Sequence, residues 1–297
     1  MIASQRPATG TGTTRGILLV LIGWFLFACM DAGSKTLAED YAIFQILWVR
    51  YLVLAAVGFW LVRRRGGRYL YTRHFWLQSL RSLILVSEIG LFILTITVLP
   101  LANAHAILAI TPLLVTALSV PLLRERVGIR RWSAIGIAFI GVLIILRPGL
   151  AAVHPYALVA LMCALMFALY QVLTRMVSRD DDAAVTLFYT AAVGAIVLSA
   201  IGPFFWTWPD AKGWGLFVLV GLIGASGHFL LINALRLAPA SSLQPFSYSI
   251  LIWATVVGFL LFDNLPDFWT IVGAAIVTAS GLYTFARERR ISRSDRS

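Results

Sequence analysis

The sequence predicts an all-α integral membrane protein with ten transmembrane helices, arranged as two inverted five-helix repeats with both termini in the cytoplasm. Three observations lead to this fold class. The 297 residues are 60% hydrophobic and only 12% charged, with a mean hydropathy of +0.88, whereas soluble domains have about 45–50% apolar and about 25% charged residues. Ten apolar segments follow one another along the chain. The two halves also resemble each other at a fixed offset. The remaining length is too short for a separate catalytic or DNA-binding domain.

Most of the ten apolar segments approach the roughly 20 residues that a membrane-spanning helix needs. In chain order they cover residues 16–37, 42–62, 75–98, 101–123, 132–147, 155–176, 183–206, 213–236, 240–262 and 266–286. We predict a disordered polar leader over residues 1–15 and a basic cytoplasmic tail over residues 287–297. The first repeat then covers residues 16–149, and the second covers residues 150–286.

The basic residues predict how the chain is oriented. With a cytoplasmic N-terminus, 19 of the 24 Lys and Arg residues lie in cytoplasmic segments and two, Arg147 and Lys212, lie on the other side. Cytoplasmic loops carry such an excess in membrane proteins. The asymmetry accounts for the isoelectric point near 10.4. Binding of nucleic acid by the run Arg63–Arg65 is therefore the less favoured interpretation. We therefore expect a bacterial-type inner-membrane protein whose surroundings are the lipid bilayer.

An internal repeat relates the two halves at an offset near 140 residues. The matched positions are Phe27–Ala28 with Phe167–Ala168, Lys35 with Arg175, and Gly141 with Gly281. Because each half has five spans, an odd number, the second half must enter the membrane in the opposite sense. Inverted repeats are typical of secondary transporters, in which the substrate site lies near the membrane midplane between the halves. The repeat therefore indicates a transporter.

Two groups of residues resemble the EamA domain of the drug/metabolite transporter superfamily. In the first half they are Leu99–Ala104, Pro112, Glu125–Gly128, Trp132, Gly141 and Arg147–Gly149. The second half carries a looser copy in Leu237–Ala240, Tyr248, Gly258, Asp263, Gly273 and Gly281. The family usually has glutamate where Asp263 stands after the ninth span. The resemblance covers nearly the whole chain.

The resemblance implies a central cavity lined mainly by spans 1, 3, 4, 6, 8 and 9. Ten-span members of this size include the YddG-like exporters of amino acids, notably aromatic ones. We therefore expect alternating-access transport of small metabolites, foremost amino acids, in the export direction. Carriers of drugs or organic cations, purines, riboflavin and S-adenosylmethionine are the alternatives within the superfamily.

Glu88 is the most informative candidate for a site residue, because it lies near the middle of the third apolar segment. Charged residues at membrane depth are costly, so they face protein or water and mark functional sites. Adding the repeat offset to Glu88 gives His228 in the eighth segment. This acid and imidazole at equivalent depths suit substrate recognition or proton linkage, with protons as a candidate second partner. The alternative interpretation is a buried structural hydrogen bond.

Other residues extend the predicted substrate site at comparable depths. They are Arg50, Tyr170, Gln171, Gln244, Tyr248 and Trp24, the last as a ring that could stack on an apolar or aromatic substrate. Asp31 and Lys35 are four residues apart and can pair on one helix face. An Asp31–Arg50 bridge is the competing structural role for Arg50.

An intramembrane serine protease is the remote alternative, since Gly224–Gly227 contains Ser226 in a Gly-x-Ser-Gly pattern. His228 lies about 200° from Ser226 around a helix, so the two side chains would point apart. The sequence has no metal-ligand cluster, phosphate-binding glycine loop or nucleotide motif, and Cys29 and Cys163 suit helix packing. We predict no enzyme activity and no cofactor, and a monomer or weak homodimer.

Overall fold

The computed structural model describes residues 10–64, 71–123, 129–146, 155–238, 243 and 246–294. Within these ranges the chain is helical apart from short connections and contains no β-strand. The α-helices whose bounds lie within these ranges are, in order, α1 (Gly10–Asp40), α2 (Ile43–Arg64), α3 (Phe75–Val98), α4 (Leu101–Leu108), α5 (Thr111–Leu123), α6 (Ile129–Leu146), α7 (Pro155–Val177), α8 (Ala183–Ser199), α9 (Ala211–Leu237), α10 (Ser249–Phe262) and α11 (Phe268–Ser294).

Six stretches of the described residues are long and apolar enough to cross a membrane. They are Thr14–Asp40 of α1, the whole of α2, α3, α7 and α9, and the residues Leu101–Leu122 of α4 and α5 taken together. Four shorter apolar helices lie over Trp132–Leu146, Ala183–Ser199, Ser249–Phe262 and Phe268–Tyr283. Together these stretches coincide with the ten apolar segments of the sequence. The chain is therefore an all-helical, multi-pass membrane protein.

Several helix boundaries differ from the sequence-based expectation, and α11 continues to Ser294, well into the predicted tail. Helix α1 begins at Gly10, so residues 10–15 of the predicted disordered leader are helical. Helix α8 ends at Ser199, whereas the seventh apolar segment continues to residue 206. A short 3-10 helix, Gly202–Phe205, covers part of that remainder. Apolar composition alone does not distinguish a span from an apolar connection that lies at its end.

The fourth apolar segment is interrupted at its centre. Helix α4 ends at Leu108, and α5 starts at Thr111 after a turn. Pro112 has no backbone N–H, so it cannot donate to the carbonyl of Leu108 and its ring disfavours a continuous helix at this point. The second half has a matching turn at Tyr248, 140 residues after Leu108, immediately before α10. Discontinuous helices in membrane transporters are tolerated where they line a cavity.

The helices pack in a pattern that is unchanged when the two halves are exchanged. Helix α1 packs on α9 and, equivalently, α3 packs on α7. Helix α2 packs on α8, and α6 packs on α11, so each of these pairs maps onto itself. Two structurally equivalent halves related by a pseudo-twofold axis produce such a pattern. The repeat seen in the sequence is thus present in the packing.

The contact between α6 and α11 brings two backbones together at glycines. A Cβ atom added at Gly141 would lie 2.8 Å from the carbonyl oxygen of Gly273 and 2.8 Å from Val277 Cγ2. Small residues at helix interfaces permit this close approach in membrane proteins. Gly136, on the same helix, has nothing within 4 Å of the equivalent position.

We expect Gly141→Ala to destabilise the protein by about 1–3 kcal/mol, because the added methyl group forces α6 and α11 apart. Gly136→Ala is the matched control, and we expect it to be neutral or to stabilise by up to about 1 kcal/mol through helix propensity. Thermal unfolding of the two purified variants in detergent measures the difference. Equal melting temperatures would contradict the close α6–α11 contact.

Candidate functional site

A cavity lies between the two halves of the molecule. Its walls come from α1, α2, α3, α4, α5, α7, α9 and α10, and it includes residues beside both helix interruptions. The volume in which the centre of a water molecule can lie is about 70 Å³. Each water needs ~10–15 Å³ of this volume, so the cavity has room for about five waters. The cavity is therefore small in this conformation.

Most of the residues predicted for the substrate site line this cavity. Six of the eight predicted residues do so: Trp24, Arg50, Glu88, Gln171, His228 and Tyr248. Tyr170 is buried beside the cavity, with its ring stacked on that of Phe167 at 5.8 Å, and it is not part of the lining. Gln244 lies outside the described residues. The structure thus brings together side chains that the sequence separates by up to 224 positions.

The cavity lining preserves the internal repeat. Four pairs of lining residues are separated by 140 positions: Phe27 with Phe167, Asp31 with Gln171, Glu88 with His228, and Leu108 with Tyr248. The first and third pairs are visible in the sequence comparison of the halves. Applying the same offset to Asp31 and Tyr248 would have given the other two. Equivalent positions of both repeats therefore meet in one cavity.

Arg50 is the cationic residue of the described lining. Its side chain is 3% exposed, and neither Nη1 nor Nη2 has a hydrogen-bond partner. Asp31 and Glu88 lie close enough for their charges to interact with the guanidinium. Buried guanidinium nitrogens are normally hydrogen-bonded, so this pair of free donors indicates a position where an anionic group of a ligand can bind.

Asp31 pairs with His105 on α4, and not with either partner that the sequence suggested. The Nε2 atom of His105 lies 3.2 Å from Oδ2 of Asp31, with both side chains buried. The distance is that of an ion pair, but Nε2 is not oriented for a hydrogen bond. The pairing of Asp31 with Lys35 is not formed. Instead, Lys35 Nζ donates to the carbonyl oxygens of Ile96 at 2.7 Å and Leu99 at 3.2 Å, at the end of α3.

Several other buried polar atoms of the lining lack partners. They are Trp24 Nε1, His228 Nδ1 and Thr111 Oγ1, whereas the Tyr248 hydroxyl, also without a partner, lies against Gly281 on α11. Native structures satisfy roughly 90% or more of their buried polar groups, so a cluster of exceptions on one surface calls for an external partner. Water or a polar ligand in the cavity can supply the missing hydrogen bonds. The lining therefore includes polar groups whose hydrogen bonds the protein itself does not satisfy.

Arg81 belongs to a separate network although it precedes Glu88 by only two helical turns. Its guanidinium is fully buried and donates to Gln78 at 2.7 Å, the Thr186 carbonyl at 2.5 Å, Thr190 at 2.6 Å and Thr174 at 3.3 Å. These contacts join α3 to α7 and α8. Every side of this guanidinium is used by the protein, so its role is structural.

Ser226 and His228 point in different directions from α9. Ser226 is exposed on the outside of the helix, whereas His228 is buried and lines the cavity. This arrangement does not provide the nucleophile–base contact that a serine protease requires. Among the residues that the structure describes, no three His, Cys, Asp or Glu side chains are grouped as metal ligands.

Comparison with known families decides the class of protein. The EamA-like transporter family matches residues 14–147 and again residues 154–285. The chain belongs to this family. The two matches place one EamA-like unit in each half, which agrees with the exchange symmetry of the helix packing.

Curated relatives of this EamA-like chain cover nearly its whole length. It is 26% identical to the S-adenosylmethionine uptake transporter of Rickettsia felis, over 91% of this chain and 93% of that one. It is also 26% identical to the riboflavin transporter of Vibrio cholerae, over 95% and 97%. The pseudopaline exporter of Pseudomonas aeruginosa is 24% identical, over 89% and 94%.

A solved crystal structure has the same fold as this EamA-like chain. The two superpose with a TM-score of 0.65 and 19% sequence identity, over 95% of this chain and 98% of that one. The shared fold extends through both halves of the chain.

Proposed function

We propose that this protein carries metabolites with an α-amino-acid head group across the bacterial inner membrane by alternating access. The observation that supports this most is the unpartnered Arg50 guanidinium beside the carboxylates of Asp31 and Glu88 in one buried cavity. A guanidinium binds a carboxylate through two parallel hydrogen bonds. Asp31 and Glu88 offer anionic acceptors to an ammonium group. An α-amino acid presents both groups on adjacent atoms.

Free amino acids and S-adenosylmethionine both contain this head group. Free amino acids are the class that the sequence resemblance favours, and S-adenosylmethionine is transported by relatives that match over 91% of the chain. Riboflavin has no carboxylate for Arg50 and no ammonium for Glu88. The charges of the cavity therefore favour amino acids and their derivatives over a flavin.

The transport cycle that we propose follows from two repeats around one cavity. The cavity lies beside the interrupted segments of both halves, at Leu108–Thr111 and at Tyr248. Interrupted helices allow the two ends of a span to move separately. In this account ten spans cross the membrane with both termini in the cytoplasm. The halves rock around the bound substrate, with net export when the internal concentration is higher.

Counterflow into proteoliposomes tests the proposed substrate class. We expect labelled amino acids or S-adenosylmethionine to exchange, and we expect exchange to fail for their methyl esters and for decarboxylated analogues. Riboflavin, nucleobases and organic cations without a carboxylate serve as comparison compounds. The proposal would be contradicted if a comparison compound exchanged as fast as the amino acids and if this exchange did not depend on Arg50.

We expect Glu88→Gln to weaken binding of amino-acid head groups about 10–100-fold, because the amide keeps the shape of the carboxylate but not its charge for the ammonium. Equilibrium binding to the purified variant measures this loss. Glu39→Gln is the control, because Glu39 is an exposed carboxylate on α1 outside the cavity. Unchanged affinity in Glu88→Gln would remove Glu88 from substrate recognition.

The same variant tests for protons as a second partner. If Glu88 also carries a proton, a pH gradient accelerates uptake by the wild type and has no effect on Glu88→Gln. If the pH gradient still accelerates uptake by Glu88→Gln, proton linkage belongs to another group. His228 and the Asp31–His105 pair are then the next candidates.

A further inference from the structure

A lysine contact joins α1 to α3 one helical turn beyond the cavity. On α1, Asp31 lines the cavity and Lys35 lies four residues further along. On α3, Phe92 lines the cavity and Ile96 lies four residues further along. The Lys35 ammonium donates to the carbonyl oxygen of Ile96 at 2.7 Å and to that of Leu99 at 3.2 Å. Four residues advance a helix by about 6 Å, so this contact lies just outside the cavity.

A proline makes the end of α3 an acceptor for this cation. In a continuous helix, the carbonyl of Ile96 accepts a hydrogen bond from the N–H of residue 100. Residue 100 is a proline and has no N–H, so this carbonyl has no partner within the helix. The last carbonyl groups of a helix also carry partial negative charge, which favours a nearby cation. The Lys35 ammonium therefore occupies a place that the sequence leaves open.

Other groups around Lys35 add to the contact without replacing it. Phe262, the last residue of α10, has its ring centre 5.3 Å from the ammonium nitrogen, within the range of a cation–π contact. Glu39, an exposed residue one turn further along α1, lies close enough for its charge to interact with the ammonium. Asp31, one turn earlier, has His105 at 3.2 Å instead. The ammonium thus joins α1, α3 and α10 at one point.

The lysine contact connects two helix pairs that pack separately. Helix α1 packs on α9, and α3 packs on α7, and the internal repeat exchanges these two pairs. The Lys35 ammonium holds the pairs together at one end of the cavity, which the proposed topology places toward the outside. If the cavity opens at this end, α1 and α3 separate there and the ammonium leaves the carbonyl groups of α3.

The second half carries the same chemistry at the equivalent place. Arg175 stands 140 residues after Lys35, in the last turn of α7, and Gln171, one turn earlier, lines the cavity. Near the end of α9, Pro239 follows Leu235 by four residues, so the Leu235 carbonyl has no helical N–H donor at that position. Because the proposed topology inverts the second half, these residues belong to the cytoplasmic end of the cavity.

We propose that Lys35 and Arg175 are gate cations, which close the outer and the cytoplasmic end of the cavity by binding the carbonyl end of α3 and of α9, respectively. This inference rests on the proposed function, because paired gates require a cavity that opens alternately to two sides. The outer gate releases when the cavity opens outward, and the cytoplasmic gate releases when it opens inward. Replacing a gate cation by an apolar side chain therefore shifts the population toward the state that is open at its own end.

Thiol labelling from each face of the membrane tests the outer gate. Thr111→Cys in a chain with Cys29→Ala and Cys163→Ala places a single reporter thiol in the cavity. The measured quantity is the labelling rate in whole cells divided by the rate in inside-out vesicles, both with a membrane-impermeant reagent. We expect Lys35→Met to raise this ratio about tenfold, the effect of losing one hydrogen bond to a charged group. Lys35→Gln replaces it should Lys35→Met not insert into the membrane.

Three further variants make this expectation specific. Lys35→Arg keeps a cationic donor and should stay close to the wild-type ratio. Lys212→Met removes an exposed lysine at the start of α9 and should also keep that ratio. Arg175→Met should lower the ratio about tenfold, because it releases the cytoplasmic gate. The ratio compares two rates of the same variant, so a smaller amount of inserted protein does not change it.

The outcomes separate this inference from the proposed function. If Lys35→Met leaves the ratio unchanged, or shifts it in the same direction as Arg175→Met, the paired gates are overturned and alternating access stands. A tenfold rise in Lys212→Met would show a general effect of outer charge and would also overturn them. If the reporter reacts from one face only in the wild type and in every variant, alternating access fails, and the gates fail with it.

Discussion

Arg50→Met is expected to weaken binding of methionine and S-adenosylmethionine at least a hundredfold. The substitution leaves the substrate carboxylate buried without a partner, and breaking such a charged pair costs about 3–5 kcal/mol. Each ~1.4 kcal/mol corresponds to a tenfold change in affinity. The wild-type guanidinium has two nitrogens without a partner in the protein, so its binding capacity is free for the ligand. Equilibrium binding to the purified variant measures the loss.

Two controls separate recognition of the carboxylate from damage to the cavity. Arg50→Lys keeps the charge but not the two-pronged geometry, and we expect an intermediate loss of about tenfold. Decarboxylated amines have no group for Arg50, so their weak binding should be the same in the wild type and in Arg50→Met. Unchanged methionine affinity in a folded Arg50→Met protein would contradict the assignment of Arg50.

Arg81→Met is expected to destabilise the protein by about 3–5 kcal/mol, because it breaks a buried hydrogen-bond network around a charged group. The fully buried guanidinium makes four hydrogen bonds that join α3 to α7 and α8. Its removal leaves Gln78 Oε1 buried without its donor, while the Thr174 and Thr190 hydroxyls keep their bonds to the carbonyls of Tyr170 and Thr186. Thermal or denaturant unfolding in detergent measures the loss.

Two comparisons make the structural role of Arg81 specific. Arg63→Met alters an exposed arginine on α2 and should change stability by less than about 0.5 kcal/mol. The folded fraction of Arg81→Met should bind substrate with wild-type affinity, because Arg81 does not line the cavity. Weakened binding without any loss of stability would assign Arg81 to the substrate site.

The sequence predicted the spans and the symmetry of the site because both depend on local or repeated patterns. Hydropathy locates each apolar segment, and the 140-residue offset paired Glu88 with His228 and Phe27 with Phe167. All four of these residues line one cavity. Which positions of the two halves face each other was therefore predictable from the repeat.

The direction of each side chain around its helix was not readable in the same way. Tyr170 and Gln171 are neighbours about 100° apart on α7. Gln171 lines the cavity. Tyr170 instead faces Arg81, whose Cζ atom lies 5.5 Å from the centre of the Tyr170 ring. Both residues are inside the protein, so hydropathy does not distinguish them. Their surroundings depend on how α7 is rotated against α3.

Partners on other helices were also beyond the reach of sequence spacing. The i,i+4 rule connects Asp31 with Lys35, but the structure pairs Asp31 with His105 on α4. Lys35 lies one turn further along and reaches the last carbonyl groups of α3. Helix α4 ends beside this pair because Pro112 interrupts the fourth span, and that interruption sets where His105 lies.

Accessibility of one position at the helix interruption tests the central claim most directly. Thr111 lines the cavity and is buried, and Cys29 and Cys163 can be replaced with alanine so that Thr111→Cys carries the single thiol. We predict that a membrane-impermeant thiol reagent labels this residue both in whole cells and in inside-out vesicles. Added substrate should slow both reactions. Labelling from one side only, or labelling that no substrate slows, would contradict a shared cavity that opens alternately to the two faces of the membrane.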